Sequence, residues 1–380
     1  MSEPQRRLLE RHFWLKLHLY LGLTVGLVFV VAGLTGSLLV FYNELDEWLN
    51  SELVITEPVN QPWMDYEKIL LALQKQFPER TKSWRFEIPR NDRVLLMARY
   101  YKPEETEHLH FAPLMVWINP YTAEIVRSRF WGQYLMTWLF DLHFNLLLDL
   151  TGKTIMAYLG GVLLISLLTG LYLWWPSFSK LKSALLIKRS ASFVRFNYDL
   201  HKVNGVYSVV LLLLIVASGI LLELPDFFNP VIHRFSPLFQ AQPNLSTFTP
   251  GSVRLPVDRA VQIARMKFPQ ASLRWIETPN GSLGNYRIQL YQAGEPSQRF
   301  PKTMVWIDQY SGAILEIRNP TNQSPGDQFL SWLHPLHNGE IAGIAGRWLV
   351  FVLGFVPLIL FITGVSRWRQ KVRVQRFKAL

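Results

Sequence analysis

The chain is written twice, and that duplication restricts it to a fold with two equivalent halves. His18 is followed by Gly22 and Gly36 at +4 and +18, and His201 by Gly205 and Gly219 at the same intervals. Downstream, Leu142-His143 precedes Gly152-Lys153 and Thr169-Gly170, while Leu336-His337 precedes Gly346-Arg347 and Thr363-Gly364 at identical offsets. Between them, FPERTKSWRF (Phe77 to Phe86) matches FPQASLRWIE (Phe268 to Glu277), and MVWINPYTAEIV (Met115 to Val126) matches MVWIDQYSGAIL (Met304 to Leu315).

Leu17 to Asn43, Ile155 to Trp175, Val203 to Leu222 and Trp348 to Ser366 carry no charge. Each is close to the about 20 residues that cross a bilayer. Four transmembrane helices are therefore expected, at 17–43, 154–175, 201–224 and 347–366. The net charge of +11 clusters beside them: Arg6, Arg7, Arg11 and Lys16; then Lys180, Lys182, Lys188, Arg189 and Arg195; then Arg367, Arg369, Lys371, Arg373, Arg376 and Lys378. That placement argues for a membrane surface and against nucleic acid. By the positive-inside rule the N-terminus (1–16), the loop 176–200 and the tail 367–380 are cytoplasmic, and the long polar segments lie outside. No cleavage site follows the first span, which is read as a retained anchor.

Each outer segment opens with an amphipathic run, Met64 to Phe77 or Val257 to Phe268, at helical spacing. Alternating runs follow at Arg93 to Tyr101, Met115 to Ile118, Tyr286 to Tyr291 and Met304 to Ile307, with turns at Asn119 to Thr122 and Asp308 to Gly312. Two small α+β modules are expected, at 62–130 and 254–320, each leading through an interfacial helix (131–153 and 326–346) into the next span. The chain has no cysteine. Disulfides, iron–sulfur clusters and covalently attached c-type haem are excluded.

These residues resemble the PepSY-associated transmembrane proteins: Leu-His-x-x-x-Gly opening a span, the W-[IV]-[DN]-x-x-[ST]-[GA] turn of the outer module, and Leu-His…Gly-[KR]…Thr-Gly closing the next span. In size and span number the chain is similar, over roughly residues 12 to 368, to the ferrioxamine-type siderophore-iron reductases of that family. The resemblance implies a bacterial inner-membrane protein with PepSY-like domains in the periplasm, which reduces ferric siderophores, of the hydroxamate type, and so releases iron.

The histidines point to haem on their own account. An even number of spans per repeat relates the halves by a pseudo-two-fold axis along the membrane normal. His18 then meets His201 on the inner side, and His143 meets His337 on the outer side. Two imidazoles on opposite faces of one porphyrin give a six-coordinate iron suited to electron transfer. Two b-type haems are expected, with Gly22, Gly205, Gly36 and Gly219, together with Gly33, leaving room for the macrocycle. His334, three residues before His337, is the alternative outer ligand. A bend near Thr151-Gly152, or an apolar helix Tyr134 to Leu150 leaning into the interface, would bring His143 back to the hydrocarbon; the bend is expected, and the same near Gly343 to Gly346.

Among the other histidines, His12 reads as a flank residue, His108 and His110 as part of a solvated acidic loop, and His233 has no counterpart. Trp131, Arg129 and Arg234 are candidate siderophore contacts. Trp174, Trp175 and Trp368 form an inner aromatic belt. No G-x-G-x-x-G opens a βα unit, so no flavin or NAD site is expected and the Thr-Gly pieces carry no phosphate-binding context. A cytoplasmic reductase or the quinone pool supplies the electrons. The competing reading is a haem-free PepSY protein that restrains a periplasmic peptidase or senses a ligand; a siderophore transporter is disfavoured by the lack of charge at the midplane.

Overall fold

The computed structural model describes residues 3–55, 61–188 and 192–378; Arg189 lies outside them, as do the side chains of Arg6, Arg7 and Lys378. The first half runs α1 (Glu3–Thr24), α2 (Gly26–Val40), α3 (Tyr42–Leu49), α4 (Tyr66–Gln76), β1 (Trp84–Glu87), β2 (Leu96–Tyr100), β3 (Leu114–Ile118), β4 (Ile125–Phe130), α5 (Leu135–Asn145) and α6 (Asp149–Trp174). The second runs α7 (Leu181–Ala184), α8 (Phe193–Glu223), α9 (Pro225–Phe235), α10 (Val257–Lys267), β5 (Ser272–Glu277), β6 (Asn285–Tyr291), β7 (Thr303–Asp308), β8 (Ile314–Arg318), α11 (Pro325–Asn338), α12 (Gly343–Leu353) and α13 (Val356–Lys378). They form a helical unit (Met1–Phe41, Leu139–Pro225, Leu333–Leu380) and a sheet unit (Tyr42–Trp138, Asp226–Trp332).

In the helical unit, α6, α8 and the stretch Glu340–Arg376 are each long and apolar enough to cross a membrane. A fourth span exists if α1 and α2 count as one, and they are bent by 54° where the sequence suggests an unbroken run. Thr24 Oγ1 donates to the Tyr20 carbonyl at 2.7 Å, the back-bonding that bends helices. Beside it, a Cβ on Gly26 would stand 2.9 Å from the Phe361 ring, so the absence of a side chain lets α13 close in. The outward residues are apolar and exposed, among them Leu168, Val210, Val352 and Ile362, as in a membrane-embedded bundle. Inside, α2 meets the α12–α13 junction almost backbone to backbone: a Cβ on Gly33 would lie 2.5 Å from the Gly354 carbonyl oxygen, and Ser37 Oγ donates to Phe351 O at 2.7 Å.

The chain also breaks before α6 and before α12. The first break lies at 146–149, slightly ahead of Thr151-Gly152, with Leu146, Leu147 and Asp149 at positive φ. A Cβ on Gly152 would fall 1.6 Å from Asn145 O, so the tight return requires glycine there. The second break uses Gly339 (φ 82°) and Gly343 (φ 58°), with Gly346 against Gly339 O.

The sheet unit differs from the two separate modules expected. One antiparallel sheet runs β4-β3-β2-β1-β5-β6-β7-β8, so the two meanders are fused through β1 and β5, with Phe86 opposite Ile276. Each of those strands would otherwise be an open edge. The sequence reading also omits β1, β4, β5 and β8, because charges interrupt their apolar pattern. In the fold those charges pair across the sheet or with nearby segments: Arg99 with Glu87 at 2.9 Å, Arg287 with Glu277, and Arg129 with Asp46 at 3.2 Å. α4 and α10 cover the other face, burying Ile69, Leu73, Val257 and Ala264 against Trp84, Phe86, Ile276 and Val305. The two helices cap each other. Asp258 accepts from the Tyr66 and Glu67 amides at 3.0 Å each, and Glu67 accepts from the Val257 amide at 2.8 Å.

Candidate functional site

Each of four histidines on the helical unit reaches across to a neighbouring helix and finds the same chemistry there. His18 on α1 places Nδ1 3.1 Å from the Ser166 carbonyl and 3.2 Å from Thr169 Oγ1 on α6. His143 on α5 meets Ala32 O at 2.9 Å and Thr35 Oγ1 at 3.2 Å on α2. His201 on α8 meets Leu360 O at 3.1 Å and Thr363 Oγ1 at 2.9 Å on α13. His337 on α11 meets Ile215 O at 2.9 Å and Ser218 Oγ at 3.2 Å on α8. A carbonyl oxygen only accepts, so every Nδ1 carries its hydrogen and every Nε2 keeps a lone pair for a ligand.

The rings rest on the glycine after each hydroxyl residue. A Cβ on Gly170 would stand 2.9 Å from Cε1 of His18, one on Gly36 2.9 Å from His143, and one on Gly219 3.0 Å from His337. Gly364 is looser, at 3.6 Å from His201. Gly36 and Gly219, expected to clear space for a macrocycle, are thus seats for the outer imidazoles instead. Gly22 has nothing within 4 Å of a built Cβ, and Gly205 only Leu360 Cδ2 at 3.8 Å, so the open faces lie one turn from His18 and His201. Gly33 is closed by Gly354.

The sequence reading missed these anchors. It set the Thr-Gly pieces aside as lacking phosphate context, whereas Thr35-Gly36, Thr169-Gly170, Ser218-Gly219 and Thr363-Gly364 supply one hydroxyl–glycine dipeptide per histidine. Their fourfold recurrence was the available signal.

The structure brings the histidines together in two pairs. His18 and His201 have ring centroids 6.3 Å apart, and His143 and His337 6.2 Å. Two metal–imidazole bonds of about 2 Å, plus two ring radii of about 1.1 Å, span about 6.2 Å. The pairs therefore fit bis-imidazole ligation of one iron each, the donor set of a six-coordinate haem. A structural zinc site does not fit, since no group of three or more His, Asp or Glu that could hold a metal occurs among the described residues.

His334 is not in the outer pair; its Nδ1 is 3.3 Å from Asn338 Nδ2. Near the inner pair, buried Asp199 gathers Lys202 (2.9 Å), Arg195 (3.0 Å) and the Lys188 amide (3.3 Å), where the first repeat has Lys16. At the other end, Arg347 caps α2 through the Val40 carbonyl at 2.7 Å.

The remaining candidates do not join the pairs. His12, His108 and His110 are exposed, and His233 accepts the Leu238 amide at 3.0 Å. Trp131 is buried against Phe111 at 5.1 Å, and Arg129, its side chain 10% exposed, is held over Tyr134 at 3.6 Å and paired with Asp46, which takes both from a docking surface. Arg234 is exposed. Trp175 and Trp368 are exposed as belt residues require, whereas the Trp174 indole N–H is buried.

Fold and site define a membrane-type helical protein that holds two facing histidine pairs and carries an antiparallel sheet domain. The model of the PepSY-associated TM region matches residues 15–371, and the chain belongs to that family. No curated protein matches it.

Proposed function

We propose that this is a bacterial inner-membrane electron-transfer protein that binds two b-type haems and reduces ferric siderophores on the periplasmic side. The observation that carries the reading is the pairing of four anchored imidazoles at the separation one iron requires. In this reading His18 with His201 holds the inner haem and His143 with His337 the outer one. Bound there, haem supplies one-electron cycling of iron with no open coordination position.

The chain's own groups prepare that chemistry. Each Nδ1–H donated to a carbonyl fixes the ring and raises the basicity of Nε2. The glycine seats let the imidazoles approach the neighbouring helix, and the apolar bundle excludes water. The basic flanks support an orientation with both termini in the cytoplasm, where a reductase or quinol delivers electrons. The substrate assignment follows the likeness to siderophore-iron reductases, and its logic is that hard hydroxamate oxygens hold Fe(III) far better than Fe(II).

The test is to mix dithionite-reduced, desalted protein with a ferric trihydroxamate and a chromophoric Fe(II) chelator. The reading expects stoichiometric Fe(II) capture with reoxidation of the visible bands. Reduced bands that persist while no Fe(II) forms would remove the siderophore assignment.

A further inference from the structure

Two of the connections in which the repeats differ in length meet in the sheet unit, and a cleft opens there. The offset between copies is 183 at His18/His201 but 191 at Phe77/Phe268, so the connection after α8 is eight residues longer than that after α2. It is 189 at Met115/Met304 but 194 at His143/His337, so the connection from β8 to α11 is five residues longer. Both longer connections line one cleft of about 740 Å3: Pro237 to Phe239 from the first, and Asn319 and Asn322 to Ser324 from the second. In the first copy, Arg129, the counterpart of Arg318, is packed under Tyr134 and paired with Asp46.

The walls have two characters. Leu238, Phe239, Phe268 and Ile317 are apolar, while Lys267 and Arg318 bring positive charge and Asp327 a single negative one. Asp327 is already satisfied by Arg318 Nη2 (2.9 Å), the Phe239 amide (3.0 Å) and Ser324 Oγ (3.1 Å). Arg318 Nε and Gln323 Oε1 are buried without a hydrogen-bond partner. Arg129 Nε is likewise unpartnered in the first copy, so the group particular to the cleft is the neutral acceptor Gln323 Oε1, whose burial is costly unless a ligand completes it.

We infer that this cleft is a binding site for an iron chelate of the hydroxamate class. Such a molecule presents negatively polarised oxygens to Arg318 and Lys267, amide N–H groups to Gln323 Oε1, and methylene spacers to Phe239 and Phe268. The volume is that of a small-molecule site rather than of a macromolecular interface. The identity of the occupant rests on the siderophore reading above; the existence of a polar small-molecule site does not.

A redox-inert gallium(III) trihydroxamate separates the two. Titrated calorimetrically into the full-length protein in detergent, it should bind, with Gln323→Leu weakening Kd about tenfold, equivalent to about 1.4 kcal/mol. Lys267→Ala should weaken it several-fold, and both variants should keep the wild-type visible spectrum. Gln76→Ala, at the first-copy position matching Lys267, should leave Kd unchanged. Absence of binding to wild type, equal binding by all variants, or full displacement by a short peptide would overturn the inference. Variant-sensitive gallium binding without reduction of the ferric chelate would sink the reductase reading while the site stands.

Discussion

At the residue scale, the spacing beneath each imidazole gives a graded prediction. Alanine at Gly170, Gly36 or Gly219 places a Cβ about 3 Å from the ring it supports, tighter than an ordinary contact, and the ligand must shift. Gly364→Ala meets His201 at 3.6 Å and fits. Gly170→Ala should therefore lower haem content at the inner pair and Gly36→Ala at the outer, whereas Gly364→Ala retains both, as read by pyridine haemochrome assay. A second prediction concerns pH. Burial pushes the Asp308 carboxyl up, but the Ser311, Thr247 and Tyr310 amides outweigh it and hold it below the usual 3.8. Its contribution is complete above that value and lost as pH falls through the lower folded value. Asn119 occupies the equivalent turn in the first copy and accepts the Tyr121 amide at 2.9 Å. Asp308→Asn should thus flatten the acid limb of the melting curve; identical wild-type and variant curves down to pH 3 would refute it. The four histidines were legible because the repeat numbers them. Their Thr/Ser-Gly anchors were not, because each lies on a different helix from its histidine and only helix pairing joins them.

At the element scale, the returns before α6 and α12 set where His143 and His337 stand. Gly152→Ala would drive a Cβ into Asn145 O and should unseat the outer pair while sparing the inner one. Loss of half the haem on that substitution is the expected result, and full retention would contradict this role for the return. The need for a break was legible from the distance between His143 and the next apolar run. Its site was not, since the positive φ begins on Leu146 and Leu147, which carry no turn signature, and reaches Asp149 only after them. The strands divide in the same way. β3 and β7 read clearly as apolar runs, whereas β1 and β5 alternate with charges whose partners, such as Arg99 for Glu87, come from other strands.

At the scale of the whole molecule, duplication has different consequences in the two units. In the sheet unit it fuses two meanders and lets α4 and α10 cap one another. Asp258→Ala should leave the Tyr66 and Glu67 amides unpaired, costing about 1–2 kcal/mol and lowering the calorimetric transition of the sheet unit; no change would mean the reciprocal caps are dispensable. The pairing of β1 with β5 was not legible, because nothing in either strand names its partner across 190 residues of chain. In the helical unit, duplication makes each proposed site from one histidine of each half, so neither half is complete alone. That claim is tested most directly by the haem stoichiometry and reduced visible spectrum of the purified chain. The account predicts two haems per chain with low-spin bis-imidazole bands, falling to one in His18→Ala and to one in His337→Ala. A colourless wild-type protein, or either variant keeping two haems, would contradict it.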